Sequence, residues 1–184
     1  MNRHLEFPTQ GSIAARGFTL IEILVTLSVA AILMGMAVPA FNSFVLNDRD
    51  VGQINSLVGS LNYARSEAIK RASANGIIVC PSANGTTCSG TAWAGGWIVL
   101  DLNPGGLVLQ TVPALNGSNT LTAVGAATGI TFLTSGLVTA ALTIRVCDTR
   151  GANFARDVEV NVTGRVAASQ TPGQAVSGAA LVCP

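Results

Sequence analysis

From Ile23 to Asn47 the chain runs 25 residues without a formal charge, and an acid, Glu22, stands immediately in front of that run. A helix of this length, at about 1.5 Å per residue, spans roughly 37 Å and can cross a bilayer core of about 30 Å. A secretory signal peptide has a shorter apolar centre and is cut behind it. Here the basic and small residues Arg16-Gly17 precede the run, so the expected cut lies in front and the apolar segment stays with the mature protein. Two other readings fit less well. An ordinary signal anchor gives Glu22 no purpose, and a signal-peptidase site at Val38-Pro39-Ala40 would follow too long an apolar run and place proline beside the cut.

Glu22 needs compensation, because an acidic side chain at bilayer depth costs on the order of 2.5 to 3.5 kcal/mol even on mild insertion scales. Cleavage between Gly17 and Phe18 would create an α-amino group, positively charged at neutral pH with an ordinary pKa of about 8. That amine lies near the depth of Glu22, in the same chain or in a neighbour. Gly17-Phe18-Thr19-Leu20-Ile21-Glu22 resembles the leader junction of type IV pilins and type II secretion pseudopilins. The resemblance implies cleavage after Gly17 by a prepilin peptidase, methylation of the Phe18 amine, and an assembly role for Glu22. It also implies a helix-disturbing proline at Pro39.

Residues 1–17 then read as a leader, too short and polar to fold. What remains, without the membrane half of the helix, suffices for one domain with a modest core. Net charge is +1, and removal of Arg3, Arg16 and Glu6 with the leader leaves basic and acidic residues balanced, so no global field recruits nucleic acid. Charged residues make up only 10%. Gly, Ala, Ser, Thr and Asn take their place, a surface suited to packing against copies or relatives of itself. Cys80, Cys88, Cys147 and Cys183 all follow the membrane segment, and no C-x-x-C pair occurs. Two disulfides in an oxidising compartment such as the bacterial periplasm are expected. Pairing of Cys80 with Cys88 and of Cys147 with Cys183 is the simplest of three connectivities, which the sequence leaves open. The one histidine, His4, lies in the leader, so no metal site or cofactor is expected.

The helix is expected over residues 18–75, with about 18–46 in the membrane, loosened between Gly35 and Pro39 where proline removes a backbone donor. If continuous it would be roughly 85 Å long. Val51, Ile54, Leu57, Val58, Leu61, Ala64, Ala68, Ile69 and Ala72 recur at three and four, placing one apolar stripe on a globular partner. Arg49, Asp50, Arg65, Glu67, Lys70 and Arg71 mostly fall off that stripe, and Asn75-Gly76 supplies a stop.

From residue 76 to 184 the period changes to two. Ile77 to Cys80, Trp97 to Leu100, Leu107 to Leu109, Ile130 to Phe132, Leu142 to Cys147 and Val158 to Val162 read as strands. Thr111 to Gly129 reads as loop. The expected class is α+β: a long helix on an antiparallel sheet whose other face is wet. Val79-Cys80-Pro81-Ser82, Cys88, Trp93, Gly96-Trp97, Asp101 to Gly106, Val146-Cys147-Asp148 and Thr163-Gly164-Arg165-Val166 are similar to the GspH/FimT group of minor pilins and pseudopilins. The cysteines look more like the type IV pilus members, FimU and FimT, than the secretion member GspH. That group implies the type IV pilin fold.

Other motifs have plainer readings. Asp101 to Gly106 lacks half the oxygens of a calcium loop and reads as a hairpin turn. Asn84-Gly85-Thr86, Asn116-Gly117-Ser118 and Asn161-Val162-Thr163 read as turn and strand residues. Trp93 and Trp97 read as core. Arg145, Arg150, Arg156 and Arg165 are candidates for a phosphate grip, with Arg150, Arg156 and Arg165 as possible DNA contacts around a loop and strand. DNA-receptor minor pilins of the FimT type carry Gly-Arg-x-Arg, whereas this chain has Gly164-Arg165-Val166-Ala167. Asp148, Asp157 and Glu159 nearly cancel the arginines, which favours salt-bridged or solvated side chains. No nucleophile with an identifiable base and no phosphate loop emerges, so no enzyme is expected.

The sequence therefore predicts a minor pilin or pseudopilin of a type IV pilus or type II secretion pseudopilus. It would sit in the inner membrane by one pass with its C-terminal domain in the periplasm. Expected partners are membrane lipid, prepilin peptidase, the inner-membrane assembly platform and other pilins, with a role in initiating or capping the filament. The alternative is a DNA-binding minor pilin acting in DNA uptake.

Overall fold

The computed structural model describes residues 17–125 and 127–183, so the expected leader, residues 1–17, lies outside the described residues except for Gly17. The chain divides into two units, residues 1–42 and 43–184. In the first, helix α1 (Leu20–Arg71) begins, and it continues as the opening element of the second.

The helix starts two residues after Phe18, and Thr19 shows why. Its hydroxyl oxygen accepts a hydrogen bond from the Glu22 backbone N–H at 3.3 Å, while Glu22 Oε2 accepts one from the Thr19 N–H at 3.5 Å. This reciprocal pair is a capping box, which satisfies donors that the first helical turn leaves orphaned. Pro39 is accommodated inside the helix. It leaves the Gly35 carbonyl without its usual donor.

At the other end α1 stops at Arg71, four residues before the expected Asn75. Ala72 takes a left-handed conformation with φ of 47°. Ser73 is then drawn inward, donating to Asp101 Oδ1 at 2.7 Å. The Gly76 conformation serves close packing: a Cβ there would lie 2.7 Å from the Phe132 carbonyl oxygen.

The expected single sheet is two. One has strand order β3-β2-β1-β5, from β1 (Ile77–Pro81), β2 (Trp97–Asp101), β3 (Val108–Val112) and β5 (Ile130–Phe132). The other has order β4-β6-β7-β8, from β4 (Thr120–Ala123), β6 (Leu142–Cys147), β7 (Arg156–Val160) and β8 (Val166–Ala168). All pairings are antiparallel. β4 falls in the stretch read as loop. Its Leu121 is buried against the core between two β-branched threonines, Thr120 and Thr122, whose strand preference is masked in the sequence by the Gly-, Ser- and Asn-rich loop around them. Val162 lies in a turn, exposed, instead of continuing β7.

Leu57, Leu61, Ala64 and Ala68 of α1 share one core with Val79, Trp97, Val99 and Phe132 of the first sheet and Ile144, Val146, Val158 and Val160 of the second. The buried helical face also carries Asp50, Gln53, Ser60 and Glu67, while Val51, Ile69 and Ala72 are exposed. The stripe is thus rotated toward polar residues that the expectation placed outside it. The far face of β6 and β7 is wet only in part, with Thr143, Arg145 and Glu159 half-buried and Cys147 and Asp157 buried. The C-terminal segment lies over it, with Leu181 buried beside Cys147 and Ala155.

Candidate functional site

Two groups of residues stand out, one in each unit. In the first unit the helical segment is apolar all round. Phe18 is 79% exposed, Met36 72% and Phe41 66%. A helix that is hydrophobic on every side belongs in a membrane or inside a bundle of other helices. One helix in the described residues is long and apolar enough to cross a membrane. Glu22 is the only acidic residue between Phe18 and Asn47, and in the free chain its carboxylate faces Thr19. Gly17 and Phe18 lie just before the helix.

In the second unit a buried polar cluster joins α1 to the β6–β7 loop. Arg150 Nε donates to Asp148 Oδ2 at 2.6 Å, and the Arg150 backbone N–H donates to Asp148 Oδ1 at 2.8 Å. Arg150 Nη2 donates to Asp50 Oδ2 at 3.2 Å. Arg150 Nη1 reaches Asn47 Oδ1 at 2.9 Å and the Ser43 carbonyl at 3.3 Å. Residues 43, 47 and 50 share one helical face, so a single guanidinium grips almost two turns of α1. Phe154 closes the site, its ring centre 4.2 Å from Arg150 Cζ. Asn119 Nδ2 donates to Asp50 Oδ1 at 2.6 Å and to Gln53 Oε1 at 3.0 Å.

Burial, and after it the Asp148 charge, push the Asp50 carboxyl up to about 6. Burial would also raise Asp148, but hydrogen bonds from the Arg150 side chain and amide outweigh it and hold that carboxyl below its usual range. Sequence reasoning missed this cluster. The available signal was the position of Asp50, four residues before Ile54 and seven before Leu57, on the apolar stripe itself.

The other arginines do not join it. In the β6–β7 ladder Arg145 faces Asp157 while Val146 faces Arg156. Side chains alternate along a strand, so Arg145 and Arg156 point to opposite faces of the sheet. Arg145 forms a two-pronged pair with Asp157, at 2.9 and 3.1 Å, and donates to the Val182 carbonyl at 2.6 Å. Arg156 Nη1 donates to the carbonyls of Ser169 and Gln170. Arg165 is exposed in the turn beyond the far end of β7. Arg150, Arg156 and Arg165 therefore do not converge on one edge.

The cysteines form the bridges Cys80–Cys88 and Cys147–Cys183. The second pins the C-terminal segment over β6. Trp93 and Trp97 are wholly buried. Asp101 closes the β2–β3 turn, accepting the Asn103 N–H at 3.0 Å. No group of three or more metal-ligating side chains occurs among the described residues.

Comparison with known proteins agrees with this architecture. The profile of the family described as "Type II transport protein GspH" matches residues 53–164, and that described as "Prokaryotic N-terminal methylation motif" matches residues 14–38. The crystal structure of the type IV minor pilin FimU of Pseudomonas aeruginosa is similar, with a TM-score of 0.55 at 20% identity, over 70% of this chain and 98% of that one. A fainter likeness, with a TM-score of 0.45 at 15% identity, covers 66% of this chain and 96% of the minor pseudopilin EpsH from the type 2 secretion system of Vibrio cholerae. No curated protein sequence matches significantly.

Proposed function

Because the chain belongs to the GspH family of minor pilins and pseudopilins, we propose that it is stored in the inner membrane by its N-terminal helix and drawn into a filament as a structural subunit. The observation that carries this reading is the all-round apolar segment with its single acid. The apolar surface of that segment is covered by nothing among the described residues of its own chain, and other helices of the same kind would bury it. Cleavage between Gly17 and Phe18 by a prepilin peptidase, followed by methylation of the Phe18 amine, would supply a cation for Glu22.

In the free chain Glu22 is held by Thr19. In a filament it exchanges that weak contact for the Phe18 amine of a neighbouring subunit, because an unpaired carboxylate in an apolar bundle is costly. The two disulfides fit a head folded in the periplasm. Lipid, the assembly platform and other pilins are its partners, and its place is at the start or cap of the filament.

The test is Glu22→Ala. The head should keep its denaturation midpoint while the protein disappears from sheared filaments, and mass spectrometry of wild-type filaments should find an N-terminus at methylated Phe18. Recovery of the mutant at normal levels would refute the pairing. The DNA-uptake alternative draws no support from the arginines, which are spread over separate faces and largely committed within the chain. A mobility shift of duplex DNA at low salt, lost in Arg165→Ala, would restore it.

A further inference from the structure

The cluster around Asp50 has two carboxylates competing for one guanidinium. Asp148 takes the Nε edge of Arg150 together with the Arg150 backbone N–H, whereas Asp50 receives only Nη2, shared with Asp148. Asp50 is 2% exposed, so water does little to spread its charge. Beside it Asn119 Oδ1 is buried with no donor. The site therefore holds one acceptor and one negative charge more than its donors balance. A proton on Asp50 removes the surplus charge and turns one of the two crowded carboxylates into an O–H donor for the other.

We propose that Asp50 is the proton-binding element of a clamp in which Arg150 and Asp148 hold the β6–β7 loop on the Ser43–Asp50 face of α1, tight when Asp50 is protonated and easier to open when it is ionised. No other charged side chain faces it among the described residues. The Arg49 guanidinium lies against Gly117, the segment from Asn116 to Asn119 is uncharged, and Arg156 is turned onto the Ser169 and Gln170 carbonyls.

The direction follows from linkage. The Asp50 carboxyl sits above its ordinary 3.8 in the closed site, at about 6. Its stabilisation is fully present below the ordinary value and is lost as pH rises through the raised one. Asp148 is shifted the other way, so its contribution disappears as pH falls below the ordinary carboxylate range. The clamp is tightest near pH 4, loosens by up to about tenfold per pH unit toward pH 6, and is then level. None of this depends on the filament reading.

The experiment uses the full chain in detergent micelles. Carboxyl-carbon NMR should place the Asp50 midpoint near pH 6, and amide exchange of residues 148–154, corrected for intrinsic rates, should lose protection between pH 4 and 6 and then level off. Asp50→Asn should flatten that profile. Asp148→Asn frees the guanidinium and should move the Asp50 midpoint down toward the ordinary range. A wild-type midpoint in the ordinary range, protection that rises with pH, or an unchanged slope in Asp50→Asn would overturn the proposal. If Asp50→Asn does not fold, the wild-type titration and exchange profile decide alone.

Discussion

Trp97 donates its indole N–H to Ser60 Oγ at 3.0 Å, and neither residue reaches solvent. The serine passes the bond on, donating to the Ser56 carbonyl at 3.1 Å, so β2 is fastened to the C-terminal part of α1 through one hydroxyl. Ser60→Ala leaves the indole N–H buried without an acceptor. The expected loss is about 1–3 kcal/mol, read as a lower denaturant midpoint with unchanged slope. A mutant with the wild-type midpoint would mean that water replaces the hydroxyl.

The two disulfides should differ in weight. Cys147–Cys183 closes a span of 36 residues and Cys80–Cys88 one of 8. In the chain-entropy picture these are worth roughly 4 and roughly 2.5 kcal/mol. The longer bridge also holds Leu181 in its apolar site and the Val182 carbonyl against Arg145. Replacing Cys147 and Cys183 together by Ser should lower the melting temperature more than replacing Cys80 and Cys88, and should expose residues after Ser169 to protease. Equal shifts would show that the strap contributes no packing.

The parts of the fold legible in the sequence are those with a repeating local signal. The uncharged run, Glu22, the apolar period through Leu57, Leu61, Ala64 and Ala68, and the alternation in β7 all point to helix or strand without tertiary help. What escaped depends on contacts distant in the chain. β4 is a strand because Leu121 fills the core, and four residues set between glycine-, serine- and asparagine-rich turns are too few to announce an alternation. The end of α1 is set by Ser73 reaching Asp101, a bond across 28 positions. The clamp joins Asp50 to a loop 100 residues away. The sequence groups Asp50 with the charges that fall off the stripe, because an aspartate is almost never buried unless it is paired, and its buried partner is supplied only by the folded chain.

Arg150 and Arg165 should behave oppositely when truncated. The Arg150 side chain is 13% exposed and is the shared cation of two carboxylates that are almost completely buried. Arg150→Ala strands those charges, at an expected cost of about 3–5 kcal/mol. Arg165→Ala, on an exposed turn, should stay within about 0.5 kcal/mol of wild type. Equilibrium denaturation of both variants checks this. A wild-type midpoint for Arg150→Ala would mean that the guanidinium is dispensable and that Asp50 and Asp148 find another partner or take up protons.

Gly59 and Gly164 offer a paired test of why glycine stands where it does. Gly164 has φ of 73°, and a Cβ on it would collide with the Gly136 carbonyl oxygen, while Arg65 reaches between the two loops to the Gly136 and Thr163 carbonyls at 3.2 Å. Neither backbone can yield without breaking those bonds, so Gly164→Ala should destabilise the head by more than the usual ~1 kcal/mol left-handed penalty. Gly59 lies inside α1, and a Cβ there meets nothing within 4 Å. Alanine is favoured over glycine in a helix interior by about 0.8–1 kcal/mol, so Gly59→Ala should raise the denaturation midpoint. If Gly59→Ala lowers it instead, the open space at that position is not available in solution.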